Sequence, residues 1–175
     1  VHVKDFEQSC LKRTSFWKSE IIRTKEYLEE FFHMDITEEM IRDAVHLNNQ
    51  IRTSLKNLCE VMKLDPVPVR GEDIQKMVQE ANTGSIFDDS SVVKEVIDKI
   101  MTEYRQGKHL EKRPRILVTG CPIGGDSLKV IRAIEDNGGV VVAIENAAVC
   151  GRLGNPVEED CEDIYEALQE NICQR

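Results

Sequence analysis

Hydrophobic positions recur every three to four residues through the first hundred residues of this chain, then condense into two short unbroken apolar runs. Over residues 14–32, Phe16, Ile21, Tyr27, Leu28 and Phe31 form an apolar face. Glu20, Lys25, Glu29 and Glu30 fall outside it, which predicts a helix with Thr14 or Ser15 as its cap. A second helix opens at Thr37, where Thr-Glu-Glu-Met approaches a capping box with Met40 in the place of Glu or Gln. Ile41, Ala44, Val45, Asn48, Ile51, Leu55, Leu58 and Val61 carry its period as far as Met62. Joined at residues 33–36, the two segments predict a long helical hairpin. Asp65-Pro66-Val67-Pro68-Val69 ends the helical pattern, because proline lacks a donor and biases its predecessor toward extended backbone. Residues 71–80 read as a short helix and 82–85 as a turn. A helix over 92–104, capped from within 88–91, presents Val93, Val96, Ile97, Ile100 and Met101.

The pattern changes after the basic connector 108–115. Ile116, Leu117 and Val118 form one apolar run, and residues 140–144 form another, opened by Asn137-Gly138-Gly139. Continuous rather than alternating runs suit strands covered on both faces. Between them, residues 127–136 place Leu128, Ile131 and Ile134 at helical spacing. Strand, helix and strand make a βαβ unit with parallel strands. Ligands sit at the carboxyl ends of such strands, which sets loops 120–126 and 145–154 side by side at one edge. A closing acidic helix over 161–171 turns Ile164, Ala167 and Leu168 inward. The expected organisation is a mainly helical segment over 1–107 and a partial α/β segment over 108–175. Two strands are too few for a covered parallel sheet. With Val1 in place of an initiator methionine, the chain reads as a piece of a longer protein.

Composition narrows the chemistry. At 175 residues the chain is one domain or slightly more. A net charge of −9 without a basic stripe argues against nucleic acid. No apolar run approaches a membrane span and no signal-like segment opens the chain, so a cytoplasmic protein is expected. Six cysteines occur without any C-x-x-C, which excludes a zinc ribbon or thioredoxin-type site at the motif level. Cys10 and Cys59 read as buried thiols.

Gly120-Cys121-Pro122-Ile123-Gly124-Gly125-Asp126 lies between strand and helix. Its glycines could bring backbone against an anionic group such as phosphate or CoA at a helix start. They could equally make a tight turn with Asp126 as the helix cap. Neither a Walker loop nor a G-x-G-x-x-G fingerprint is present. Cys121 is either a reactive thiol near a helix start or a small filler under the turn. Cys150 follows a strand end and could serve a soft metal or an iron–sulfur centre. Glu145, ending the second strand, could orient a substrate group or simply be solvated. The histidines stand apart, His33 in a connector and His46 on a helix surface.

Three stretches carry a family resemblance. They are Phe16-Trp17-Lys18-Ser19-Glu20 with the hairpin through Ile36-Thr37-Glu38-Glu39, Asn48 and Arg52; residues 115–126, ending in Gly-Cys-Pro-Ile-Gly-Gly-Asp and continuing to Lys129-Val130-Ile131; and Asn137-Gly138-Gly139-Val140 leading to Glu145-Asn146. Together they resemble the 2-hydroxyacyl-CoA dehydratase family, which includes benzoyl-CoA reductase subunits and double-cubane iron–sulfur proteins. The resemblance implies a helical hairpin followed by the first βαβ unit of a Rossmann-like parallel-sheet domain. It implies a parent subunit holding a 4Fe-4S or double-cubane cluster, with no complete cluster in this chain. The reaction implied is radical dehydration or reduction of a CoA thioester, driven by electrons from an ATP-hydrolysing iron–sulfur activator. Implied partners are the remaining domains of the subunit, a second dehydratase subunit, the activator and the CoA thioester.

By that resemblance Gly120, Cys121, Pro122, Gly124, Gly125, Asp126, Glu145 and Asn146 face the CoA substrate or the cluster pocket. The family places a cysteine directly after Glu-Asn, whereas here Ala147-Ala148-Val149 precede Cys150, so Cys150 is a metal ligand only by looser analogy. The parent is then a lyase or reductase subunit, and this piece alone is inactive. Two alternatives stand beside this reading: a double-cubane electron-transfer reductase that does not use CoA, and a non-catalytic module whose acidic helices dock a protein.

Overall fold

A computed structural model describes residues 3–82, 90–121, 123, 125–146 and 153–173. Its helices are α1 (Val3–Phe32), α2 (Glu38–Glu60), α3 (Gly71–Asn82), α4 (Ser90–Arg105), α5 (Lys129–Asp136) and α6 (Ile164–Cys173). Its strands are β1 (Arg115–Gly120) and β2 (Val140–Asn146). Short 3-10 turns occupy Val61–Lys63 and Gly125–Leu128. This is an α/β fold with a parallel βαβ unit, as the apolar runs and the intervening helical period predict. The chain divides into two compact units, residues 1–49 with 155–175 and residues 50–154, the division falling within α2.

In the first unit α1 packs along α6. Val45, Val157, Ile164 and Ala167 are its buried centre, with Ile41, Tyr165 and Leu168 against them. Thr37 caps α2 as predicted, its Oγ1 accepting the Met40 N–H at 3.3 Å. Asp163 caps α6: its Oδ1 accepts the N–H groups of Tyr165 at 2.9 Å and Glu166 at 3.1 Å. Its other oxygen pairs with Lys18 of α1. That lysine holds the Asp163 carboxyl below its ordinary range, and the carboxylate in turn raises Lys18. Buried Asn49 bridges to Val157, donating to its carbonyl at 2.8 Å and accepting its N–H at 2.9 Å.

Two expectations for this unit need correction. α1 begins at Val3, so Thr14 and Ser15 lie inside the helix and not at its start. The apolar face of α1 is also wider than its cover. Ile21 and Leu28, seven residues apart and thus on one row, line a groove with Tyr165 and Leu168 of α6. Tyr27 and Phe31 lie on the neighbouring row, which α6 does not reach, and remain 62% and 64% exposed. They stack on each other at 6.1 Å, and Phe31 meets Phe32 edge-on at 4.9 Å.

In the second unit β1 and β2 run parallel, in register from Arg115 opposite Val140 to Gly120 opposite Asn146, with one irregularity between Ile116 and Leu117. Alternate residues of a strand share a face. Val140, Val142 and Ile144 accordingly meet the apolar core that Leu55, Leu58, Ile74, Val78, Val93 and Ile100 build from α2, α3 and α4. The expected cover on both faces is found for β2, where the adjacent residues Val140 and Val141 are both buried, but not for β1, where Leu117 is 58% exposed. The unbroken apolar run is half-used here, because among the described residues the helices of this unit cover alternate positions of β1 and leave Leu117 outward.

α3 is fastened to the βαβ unit at its first residue. A Cβ on Gly71 would lie 2.0 Å from the Val141 carbonyl oxygen, so only glycine permits this approach. Glu135, at the end of α5, accepts the N–H of Gly71 at 2.7 Å and of Val141 at 3.2 Å. It also receives the Arg70 Nε at 3.0 Å. Glu72 lies beside it, paired with Arg132 at 2.6 Å and Lys76 at 2.8 Å. Those donors, Arg132 foremost, hold its carboxyl down to about 2.

Candidate functional site

The parallel register delivers both strand exits to one rim. Gly120 stands opposite Asn146, and one residue back the Thr119 hydroxyl donates to Glu145 Oε2 at 3.2 Å. The two exits named from sequence are thus adjacent and joined by a side-chain bond. Gly120 at φ +121° and Gly125 at φ +53° use left-handed backbone that favours glycine, which lets the chain leave β1 abruptly and enter the turn before α5.

Cys121 is exposed on this rim, so the reading of a small filler under the turn is corrected. Asp126 is exposed within the 3-10 turn, and the N-cap position of α5 is Leu128, which makes no side-chain cap. Asp126 therefore does not cap α5, because the intervening 3-10 turn carries the chain past it before the helix starts. Pro122, Gly124 and Cys150 lie outside the described residues, as does the side chain of Asn146.

Sequence reasoning missed the two residues that hold the loop. Gln75 and Gln79 of α3 both donate Nε2–H to the carbonyl of Ile123, Gln75 at 3.2 Å. Four residues apart, they share one helix face. Gln75 is 3% exposed. A buried amide side chain must find a partner, but sequence shows neither its burial nor that its partner lies 48 residues away.

Behind the same strand lies a cavity of about 290 Å³, lined mainly by apolar side chains including Ile74, Val78, Val142, Ile144 and Leu153, with Gln75 also on its wall. Cys59 borders it, and burial pushes that thiol up to about 11. At neutral pH it is a protonated thiol and not a nucleophile, in keeping with the buried reading. Among the described residues no three His, Cys, Asp or Glu side chains stand together as a metal site. Their donor set does not fit a four-thiolate cluster. Nor is any described helix long and apolar enough to cross a membrane. His46 is hydrogen-bonded to Glu159 at 2.6 Å on the surface of the first unit.

Comparison with known proteins identifies the lineage. The profile of the family described as "2-hydroxyglutaryl-CoA dehydratase, D-component" matches residues 2–175. The chain is 38% identical over 177 residues to the "Putative dehydratase subunit YjiM" of Escherichia coli (strain K12), an alignment covering 96% of this chain. The chain spans 44% of the length of that curated relative. Matched across almost every residue, from the helical segment through the glycine-rich rim to α6, this chain belongs to the 2-hydroxyglutaryl-CoA dehydratase D-component family.

Proposed function

We propose that this chain is part of a 2-hydroxyacyl-CoA dehydratase-like iron–sulfur subunit of the cytoplasm. The whole protein dehydrates or reduces a CoA thioester by radical chemistry, with electrons from an ATP-hydrolysing activator and together with a second dehydratase subunit. The rim formed by residues 120–126 with Glu145 and Asn146 faces the thioester or the cluster pocket, and Cys150 is a candidate ligand there. Family membership supports the reaction class. The observation that carries the rim's role is the parallel register setting Gly120 beside Asn146. In parallel α/β sheets such strand exits are where ligands bind. Rim glycines allow close backbone approach, and Thr119 holds the Glu145 carboxylate at the strand end. The cluster's ligands must come largely from beyond the described residues.

The test is anaerobic purification of the whole protein with its partner subunit and activator. Iron and acid-labile sulfide at about four per subunit, with ATP-dependent loss of water from 2-hydroxyglutaryl-CoA, is the expected result. About eight iron per subunit without thioester turnover would favour a double-cubane reductase. No iron and no turnover would leave a protein-docking module.

A further inference from the structure

We infer that Gln75 and Gln79 are positioning residues that clamp the rim loop from α3, an inference resting on the proposed ligand role of that loop. The carbonyl of Ile123, at the loop's centre, accepts from both amide side chains. One carbonyl oxygen has two lone pairs, and both are used here by donors one helical turn apart on a single rigid element. α3 is itself immobilised at its start, where Glu135 accepts the Gly71 N–H and Gly71 abuts the Val141 backbone. The loop is therefore referenced to β2 through α3 as well as through its own covalent ends. The flanking glycines make such a reference necessary: Gly120 and Gly125 give freedom at both ends of the segment, and the clamp removes it at the middle. Gln75 also stands on the wall of the apolar cavity, so the clamp and that cavity share a residue.

The experiment uses the whole protein and its own thiols. Cys121 on the loop is exposed, whereas Cys59 is partly buried in the same unit and serves as the control for general unfolding. Maleimide labelling of each cysteine is followed by peptide mass spectrometry, without ligand and with acetyl-CoA, a CoA thioester that has no free thiol. In the Q75L/Q79L variant the Cys121 labelling rate changes about tenfold while the Cys59 rate stays within about twofold of wild type. Q79R, which restores a long donor in the Q75L background, returns Cys121 toward the wild-type rate. The acetyl-CoA concentration giving half-maximal protection of Cys121 rises about tenfold in Q75L/Q79L.

An unchanged Cys121 rate in Q75L/Q79L overturns the clamp. So does a change in Cys121 matched by an equal change in Cys59, which would mean general loosening. If labelling responds to the glutamines but acetyl-CoA protects nothing even in wild type, the clamp stands and the ligand role of the rim fails.

Discussion

The Glu135 carboxylate accepts the backbone N–H of Gly71 at 2.7 Å, so the last turn of α5 caps the first residue of α3 across 64 residues of sequence. An acidic side chain at the carboxyl end of a helix opposes that helix's own dipole. Here it serves another helix instead, at the end where free N–H groups and positive partial charge favour an anion. The same carboxylate satisfies Val141 and Arg70, which makes it the joint between α3, α5 and β2.

Replacing Glu135 by alanine leaves the Gly71 and Val141 N–H groups without this acceptor, while Arg70 keeps Asp136 at 2.8 Å. The expected loss is about 2–4 kcal/mol of unfolding free energy, from roughly 1–3 kcal/mol for each buried N–H left without a partner. Glutamine keeps one acceptor oxygen and costs roughly half as much. Hydrogen exchange provides the local readout: the Gly71 and Val141 amides should exchange faster in both variants, and amides of α6 should not.

Gly71→Ala tests the close approach directly. The added methyl meets the Val141 carbonyl oxygen at 2.0 Å, backbone against backbone, so α3 must shift away from β2. A cost of about 3 kcal/mol is expected, at the upper end for overpacking. Denaturant midpoints with an unchanged m-value would report it. A neutral result would show that the helix start can slide.

Acid should loosen the second unit through Glu72. Its folded carboxyl is held down to about 2, against an ordinary value of 4.5. A depressed carboxyl contributes stability above pH 4.5 and loses it as pH falls from 4.5 through about 2. Arg132 is the leading cause, so Arg132→Gln should raise the Glu72 value and flatten this part of the stability–pH curve. Thermal melts between pH 5 and pH 2 measure the slope. An identical slope in both proteins would remove Glu72 as its source.

At the rim, Thr119→Val deletes the donor to Glu145 on an exposed edge. Stability should change by less than about 1 kcal/mol. On the proposed role of the rim, the half-saturating concentration of a CoA thioester for the whole protein should rise severalfold, because the strand-end carboxylate loses its tether. Equal thioester affinity in Thr119→Val and wild type would separate Glu145 from substrate handling.

Much of the architecture is legible in the sequence alone. The 3.6-residue period over α2 and α4 predicted both helices and most of the residues they bury, because amphipathicity is a local property; Ala44 and Asn48 of that pattern are exposed, and Asn49 is buried instead. The Thr37 cap was equally readable, since its partner Met40 lies within one helical turn. The rim followed from two apolar runs, one helix between them and the rule for parallel crossovers. The errors have physical causes too. α1 extends past Thr14 because a favourable capping residue does not require the helix to stop. Leu117 is exposed because an apolar run signals what a strand can bury, whereas its cover depends on which elements lie against it.

Sequence by itself determined the elements, the parallel pairing and the glycine-rich exit beside Glu145, since each depends on residue types a few positions apart. Only the tertiary structure decided what holds that exit. Gln75, Gln79 and Glu135 are ordinary polar residues on amphipathic helices until folding places a distant carbonyl or N–H against them. Their roles arise from hydrogen bonds across 44 to 64 residues, and a hydrogen bond depends on distance in space, to which spacing along the chain gives no access at that range.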